Sequence, residues 1–248
     1  MAEPSVARRG RVWAPTGGWA ETAREIGDFY DRVAATRAYD LLIRLPPTGW
    51  HLLCAFVQAQ ALPGLFRAAH APYPTLELVA RLLSVLVFAS FGIQMLFRRA
   101  PVGRSIGIMP RVVALLGSAW FGLIAFVPPT PLSGPILGFS LALMCLGSGL
   151  SLYTVWHLGR SLSAMPEARR LVTSGPFHVV RHPLYLLESV AIAGVALQHV
   201  AWLTAILFAV GVGFQLLRLR NEERVLRRAF PAYADYAAKT ARLVPGLY

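Results

Sequence analysis

The chain has 248 residues, of which 56% are hydrophobic and only 15% are charged, whereas soluble domains carry about 25% charged residues. This composition excludes an ordinary soluble domain and predicts a polytopic membrane protein. The formal net charge of +12 also occurs in nucleic-acid-binding proteins. Here the Lys and Arg residues lie in loops between apolar runs, so we expect membrane lipid and no nucleic acid as a partner.

The first segment of the chain, residues 1–36, is polar and predicts a cytoplasmic N-terminal arm without a secretory signal peptide. Within it, residues 19–39 allow an amphipathic helix that lies on the membrane, because Ile26, Phe29, Tyr30 and Val33 are spaced for one face. A partly disordered tail is the alternative, and the sequence leaves both open.

Apolar segments then follow along the chain, and a membrane span needs roughly 20 such residues. The last two segments are short and are separated only by Gln198-His199, which predicts a tight helical hairpin. The fold class predicted is an all-α polytopic transmembrane bundle of five to six membrane segments with a cytoplasmic C-terminal helix. The segments are 48–66, 76–97, 112–128, 135–157, 184–198 and 200–217.

Basic residues mark alternate loops. Arginines are grouped at residues 98–111 and 160–181 and again after the last segment, whereas loops 128–135 and 198–201 contain no Lys or Arg. The positive-inside rule therefore predicts cytoplasmic N- and C-termini, in the inner or plasma membrane if the source is bacterial. We divide the chain into the arm (1–36), a divergent transmembrane region that we expect to select the substrate (37–130) and a C-terminal region that carries the motifs (131–248).

The densest motif is Gly-Pro-Phe-His-Val-Val-Arg-His-Pro-Leu-Tyr at residues 175–185. Its Gly-Pro step predicts a turn, and Arg181 offers a fork of donors to a carboxylate or phosphate. Pro183 fits the first turn of a helix, and Tyr185 offers a flat ring with a polar tip. An interfacial loop with a snorkelling arginine and an aromatic anchor is the alternative.

Acidic residues supply the second signal. Glu188 lies about one turn into an otherwise uncharged apolar segment, where ionisable groups are candidates for function; a general base, a hydrogen-bond acceptor and an interfacial partner of Arg181 all remain open. Glu222 and Glu223 follow the last segment among arginines and fit either a solvated helix face or a ligand for hydroxyls or ammonium. His157 and the other histidines lack ligand spacing, so we expect no metal site.

Together these residues resemble the isoprenylcysteine carboxyl methyltransferase family of integral-membrane methyltransferases. The resemblance covers roughly residues 150–248, in matching order and spacing, and Phe177 stands where the family usually has Tyr. The motifs are Leu158-Gly159, Gly175-Pro176-Phe177, Arg181-His182-Pro183-Leu184-Tyr185, Glu222-Glu223, and the tail Phe230, Tyr233, Tyr236, Arg242 and Pro245.

The resemblance implies methyl transfer from S-adenosyl-L-methionine to a lipophilic or small-molecule acceptor at the cytoplasmic membrane face. It implies cofactor contacts for Leu158, Gly159, Gly175, Pro176, His182, Pro183, Tyr185, Glu222 and Glu223. It implies a substrate-side or catalytic role for Arg181. If the acceptor is a thiol or an amine, Glu188 is the best candidate for the base. The identity of the acceptor and the oligomeric state stay open.

Two other functions compete. Membrane sterol reductases, which use NADPH, resemble the same C-terminal pattern, but their tail typically has Trp and Cys where this chain has Tyr233 and Ala237. The second competing function is that of a non-catalytic transporter or assembly factor. The sequence shows none of the internal symmetry that many transporters have.

Overall fold

The computed structural model describes residues 18–34, 36–67 and 72–246, and residues 1–17 of the predicted arm lie outside them. The described residues are mostly helical. The helices are α1 (Trp19–Ala34), α2 (Arg37–Leu42), α3 (Leu45–Gln60), α4 (Leu62–Arg67), α5 (Pro74–Leu96), α6 (Met109–Ala119), α7 (Gly134–Leu158), α8 (Pro176–Val179), α9 (Pro183–Leu197), α10 (Trp202–Ala229) and α11 (Tyr233–Lys239).

Two 3-10 helices extend the longer elements, Trp120–Phe126 after α6 and Gly159–Ser161 after α7. A two-residue strand pair joins distant loops: β1 (Gly103–Arg104) runs antiparallel to β2 (Glu167–Ala168). This pair connects the loop after α5 to the loop after α7.

Within the described residues, four helical stretches are long and apolar enough to cross a membrane. They are Pro74–Leu96, Met109–Phe126, Gly134–Ser161 and Trp202–Ala229. A fifth apolar helix, α9, has 15 residues and reaches about 22 Å at 1.5 Å per residue. The predicted all-α polytopic bundle is confirmed.

The predicted first apolar segment is divided at Ala61 into α3 and α4. α3 has 16 residues and packs along α5. There His51 is buried, with its ring centroid 5.2 Å from that of Phe91. This interrupted segment therefore forms a helix that packs on a span.

The centre of the bundle is α7, which packs between α5 and α9. Two glycines bring the backbones of α7 and α9 together: a Cβ atom on Gly147 would lie 2.4 Å from the Ala191 nitrogen, and one on Gly194 would lie 2.6 Å from the Ser140 carbonyl oxygen. Membrane helices commonly use small residues for such close packing. This contact fixes α9, which carries the Arg-His-Pro-Leu-Tyr motif.

α10 packs on α6, on the 3-10 helix that follows it, and on α9. It ends at Ala229, and Phe230-Pro231 separates it from α11. Proline cannot extend the helical turn before it, which accounts for this interruption. α10 holds the acidic pair near its C-terminal end, beside the strand pair and α11.

Candidate functional site: a cleft at the C-terminal motifs

The Gly-Pro turn is built around one glycine. Gly175 has φ +62°, and a Cβ atom there would lie 2.3 Å from Cδ2 of His157 at the end of α7. An L side chain is strained in this backbone region and would also collide with the imidazole. His157 is in turn close to the Tyr153 carbonyl oxygen, with Nδ1 at 3.0 Å. Gly175 thus lets the motif loop pack against α7, and Pro176 begins α8.

The motif loop then runs beside the C-terminal segment. Val180 and Ala241 form an isolated parallel bridge, and the backbone N–H groups of Arg181 and His182 donate to the carbonyl oxygens of Ala241 and Arg242, at 2.8 and 3.1 Å. Pro183 then begins α9, as predicted. Residues 180–182 are therefore held to the tail by backbone hydrogen bonds.

The side chain of Arg181 is largely committed to protein partners. Its Nε donates to Glu223 Oε1 at 2.8 Å, and its Nη1 donates to the carbonyl oxygens of Ala237, at 2.8 Å, and Thr240. This guanidinium joins the start of α9 to α10 and α11. A substrate carboxylate would have to share Arg181 with Glu223, and the substrate role of Arg181 stays a prediction.

The two neighbouring acids have different surroundings. Glu223 is 4% exposed; besides Arg181 it accepts from Arg242 Nη2 at 2.9 Å and lies 3.4 Å from His182 Nε2. Glu222 instead accepts from the Tyr185 hydroxyl at 3.0 Å. Glu223 is thus enclosed by cationic or donor groups of the protein, whereas Glu222 is the acid that faces a cleft.

That C-terminal cleft has a volume of about 40 Å³, or about 450 Å³ when the open space at its mouth is included. Its lining includes Leu158, Arg169, Phe177, Arg181, Glu222, Tyr233 and Tyr236. Residues from five separate parts of the resemblance therefore meet at one cleft: the Leu-Gly step, the Gly-Pro-Phe turn, the Arg-His-Pro motif, the acidic pair and the tyrosine tail.

The tyrosines of the tail are ordered parts of the cleft wall. The Tyr236 hydroxyl donates to the carbonyl oxygen of Phe177 at 2.5 Å, and burial raises the pKa of Tyr236 to about 12. Tyr233 is 1% exposed; burial, and next the charge of Glu223, raise its pKa above the usual range. Both phenols are therefore neutral near pH 7.

Glu188 belongs to a separate polar chain inside the bundle. Its Oε2 accepts from Gln215 Nε2 at 2.9 Å, and Gln215 Oε1 accepts from Arg218 Nη1 at 2.9 Å. The Arg218 guanidinium lies 5.2 Å from the centroid of the Tyr185 ring. The observed partner of Glu188 is therefore Gln215 rather than Arg181, and the chain leads from Glu188 towards Tyr185 and the cleft.

The cleft also contains residues that sequence reasoning did not select. Glu167 and Arg169 line it, and Arg169 Nη2 donates to Glu167 Oε2 at 2.6 Å. One signal was present: Glu167 is the only acid between Arg160 and Arg181. Gln215 was likewise visible as a polar residue in an apolar helix. Two other expected contacts do not line the cleft: Gly159 directly follows α7, and His182 Nε2 lies 3.4 Å from Glu223 Oε1.

A family comparison indicates the class of protein. Residues 136–233 match the family model described as phospholipid methyltransferase, a family of integral-membrane methyltransferases related to the isoprenylcysteine carboxyl methyltransferases. The resemblance inferred from the motifs is thereby confirmed over this region, and it indicates a membrane methyltransferase. The matched residues include α7, α9, α10 and most of the cleft lining.

Two relatives carry names from metal resistance. The chain is 38% identical over 111 residues to the cobalt-zinc-cadmium resistance protein CzcN of Cupriavidus metallidurans, covering 42% of this chain and 50% of that protein. It is 36% identical over 114 residues to the nickel-cobalt-cadmium resistance protein NccN of Alcaligenes xylosoxydans xylosoxydans, covering 44% and 52%. The chain thus spans about half the length of the curated relatives it matches.

Proposed function

We propose that the protein is an integral-membrane methyltransferase that uses S-adenosyl-L-methionine and methylates a lipophilic or small-molecule acceptor at the cytoplasmic face. The observation that carries this proposal is the meeting of five motif parts at one cleft, with Glu222 exposed to it and Glu223 enclosed behind it. The family match over residues 136–233 supports the reaction class.

The polar and aromatic groups of the cleft fit such a cofactor. Glu222 can accept hydrogen bonds from ribose hydroxyls or from an ammonium group, and the half-buried, neutral ring of Tyr236 offers apolar surface. Leu158 and Arg169 complete the wall, so carboxylate and guanidinium groups line one cavity. Both an amino-acid group and a nucleoside group find complementary chemistry among these residues.

Several motif residues that do not line the cleft have positioning roles in this proposal. His182 and Glu223 hold the start of α9 against α10, and the Gly175 turn sets the loop that precedes it. Pro183 begins α9, from which Tyr185 reaches Glu222. When bound, the cofactor supplies a methyl group already activated on a sulfonium. The protein's contribution is therefore to orient the acceptor and exclude water.

Glu188 is our candidate for the base. A thiol or amine acceptor must lose a proton, and Glu188 lies on α9 with its carboxylate held by Gln215. A carboxylate acceptor needs only orientation, for which Arg181 is the candidate. Residues 37–130 lie outside the matched region, and we assign them the choice of acceptor.

The activity test uses membranes that contain the protein and S-adenosylmethionine with a labelled methyl group. We expect label to enter an organic or small-molecule extract, and we expect Glu222→Gln to lower that transfer at least tenfold. The matched control is Asp235→Asn, because Asp235 lies on α11 between the two cleft tyrosines and is exposed. Equal transfer by both variants would exclude Glu222 from the site.

A further inference from the structure

An apolar stripe on α1 faces away from the protein. Ile26, Phe29 and Val33 are 49%, 62% and 37% exposed. They are three and four residues apart, which places them on one side of the helix. A surface helix of a soluble domain turns such a side towards the core, so the outward stripe needs a different partner.

α1 is attached to the protein through its opposite, polar side. Asp31 accepts hydrogen bonds from the Gly107 backbone N–H, at 3.2 and 3.3 Å, and from Arg111 Nη1 at 3.0 Å. Asp31 is two residues from both Phe29 and Val33, which is about 200° around a helix of 3.6 residues per turn. The attachment therefore holds the stripe outwards.

The point of attachment lies at the border of the membrane-spanning surface. Gly107 is in the loop that joins the spanning helix α5 to α6, and the next span begins at Met109. Apolar side chains on both sides of Gly107 are exposed, among them Val102, Ile106 and Met109. A helix fixed here is at the level where spans leave the hydrocarbon.

We infer that α1 is an interfacial membrane anchor that lays Ile26, Phe29 and Val33 into the boundary between lipid headgroups and acyl chains. Amphipathic helices bind there through buried apolar area. α1 has four acidic and two basic residues, so its attachment does not depend on anionic lipid. The occupant of the stripe is the bilayer that already surrounds the spans. This role is separate from methyl transfer.

The test places a fluorophore on single cysteines in the full chain, reconstituted in phosphatidylcholine bilayers with and without an anionic lipid. The two native cysteines, Cys54 and Cys145, are first replaced by Ala. Phe29→Cys and Ile26→Cys report on the stripe. Asp28→Cys and Glu25→Cys are matched controls on exposed positions one residue away.

We expect brominated lipid to quench the labels at positions 26 and 29 by more than half and aqueous iodide to quench those at 25 and 28, with either lipid mixture. Equal iodide quenching at all four positions would overturn the inference, because the stripe would then face water. Protection of positions 26 and 29 from both quenchers would also overturn it, because a protein surface would then cover the stripe. Neither readout depends on the cofactor or on activity.

Discussion

The acidic pair shows how two adjacent identical residues acquire different surroundings. Successive positions on a helix point about 100° apart, so Glu223 turns to Arg181, His182 and Arg242 while Glu222 turns to Tyr185 and the cleft. The sequence predicted that the pair belongs to the site but did not indicate which of the two acids faces the cleft. The rotation of α10 about its axis decides which acid faces the cleft, and this rotation depends on packing against helices that are distant in sequence.

These different surroundings predict different effects for two isosteric substitutions, one on stability and one on binding. Glu223→Gln removes the charge that Arg181 and Arg242 share, and loss of one partner of a buried pair costs about 3 kcal/mol. Glu222→Gln leaves that cluster intact and is expected to weaken binding of the cofactor product S-adenosylhomocysteine. Thermal unfolding in detergent compares the two variants; equal destabilisation would contradict this difference between the two acids.

The role proposed for Glu188 gives a second prediction. Glu188→Gln keeps the hydrogen bond with Gln215 possible but removes the base, and general-base catalysis contributes about 10²–10⁴ in rate. We expect the rate of methyl transfer to fall by about 10²–10⁴-fold, while S-adenosylhomocysteine still binds. A pH–rate profile measures this, and unchanged activity with an unchanged profile would exclude the base role.

At the scale of elements, the contact between α7 and α9 positions the whole motif. Gly147 has backbone atoms of α9 within 3 Å of the place where a Cβ would stand, whereas Gly149 on the same helix has only a Leu83 methyl group at 3.8 Å. The sequence showed both glycines in an apolar segment and gave no sign of which one meets a neighbour. That choice depends on how the two helices cross.

The difference between these two glycines is testable. Gly147→Val pushes α9 away and is expected to destabilise the protein by about 2–3 kcal/mol, with loss of product binding because Tyr185 moves. Gly149→Val is the matched control and should stay near wild type in both measurements. Unfolding of both variants at the same temperature would exclude this packing role of Gly147.

At the scale of the molecule, an ion cluster joins the two halves of the chain. Asp40 on α2 pairs with Arg44 at 2.6 Å and with Arg98 at 3.1 Å, and Arg98 lies 3.8 Å from Glu167 of β2. Glu167 also lines the cleft. These residues are as many as 127 positions apart in sequence, so composition and periodicity predicted the spans but not the cluster that ties the N-terminal half to the cleft wall.

The cluster predicts a pH dependence of stability. Burial raises the pKa of Asp40, but the hydrogen bond from Arg44 and the charges of Arg98, Arg44 and Arg169 outweigh it, so the net pKa lies below its ordinary value of 3.8. Asp40 therefore stabilises the fold fully above that ordinary value, and the contribution disappears as the pH falls through the folded pKa. We expect Asp40→Asn to lower the unfolding temperature at pH 7, with the difference from wild type shrinking below about pH 4. A constant difference across that range would contradict the assignment.

Calorimetric titration of the purified protein with S-adenosylhomocysteine and, separately, with NADPH would show whether the cleft binds the methyl donor. We expect S-adenosylhomocysteine to bind, Glu222→Gln to weaken this binding at least tenfold, and Asp235→Asn to leave it unchanged. Binding of NADPH without binding of S-adenosylhomocysteine would exclude the methyltransferase and favour a reductase.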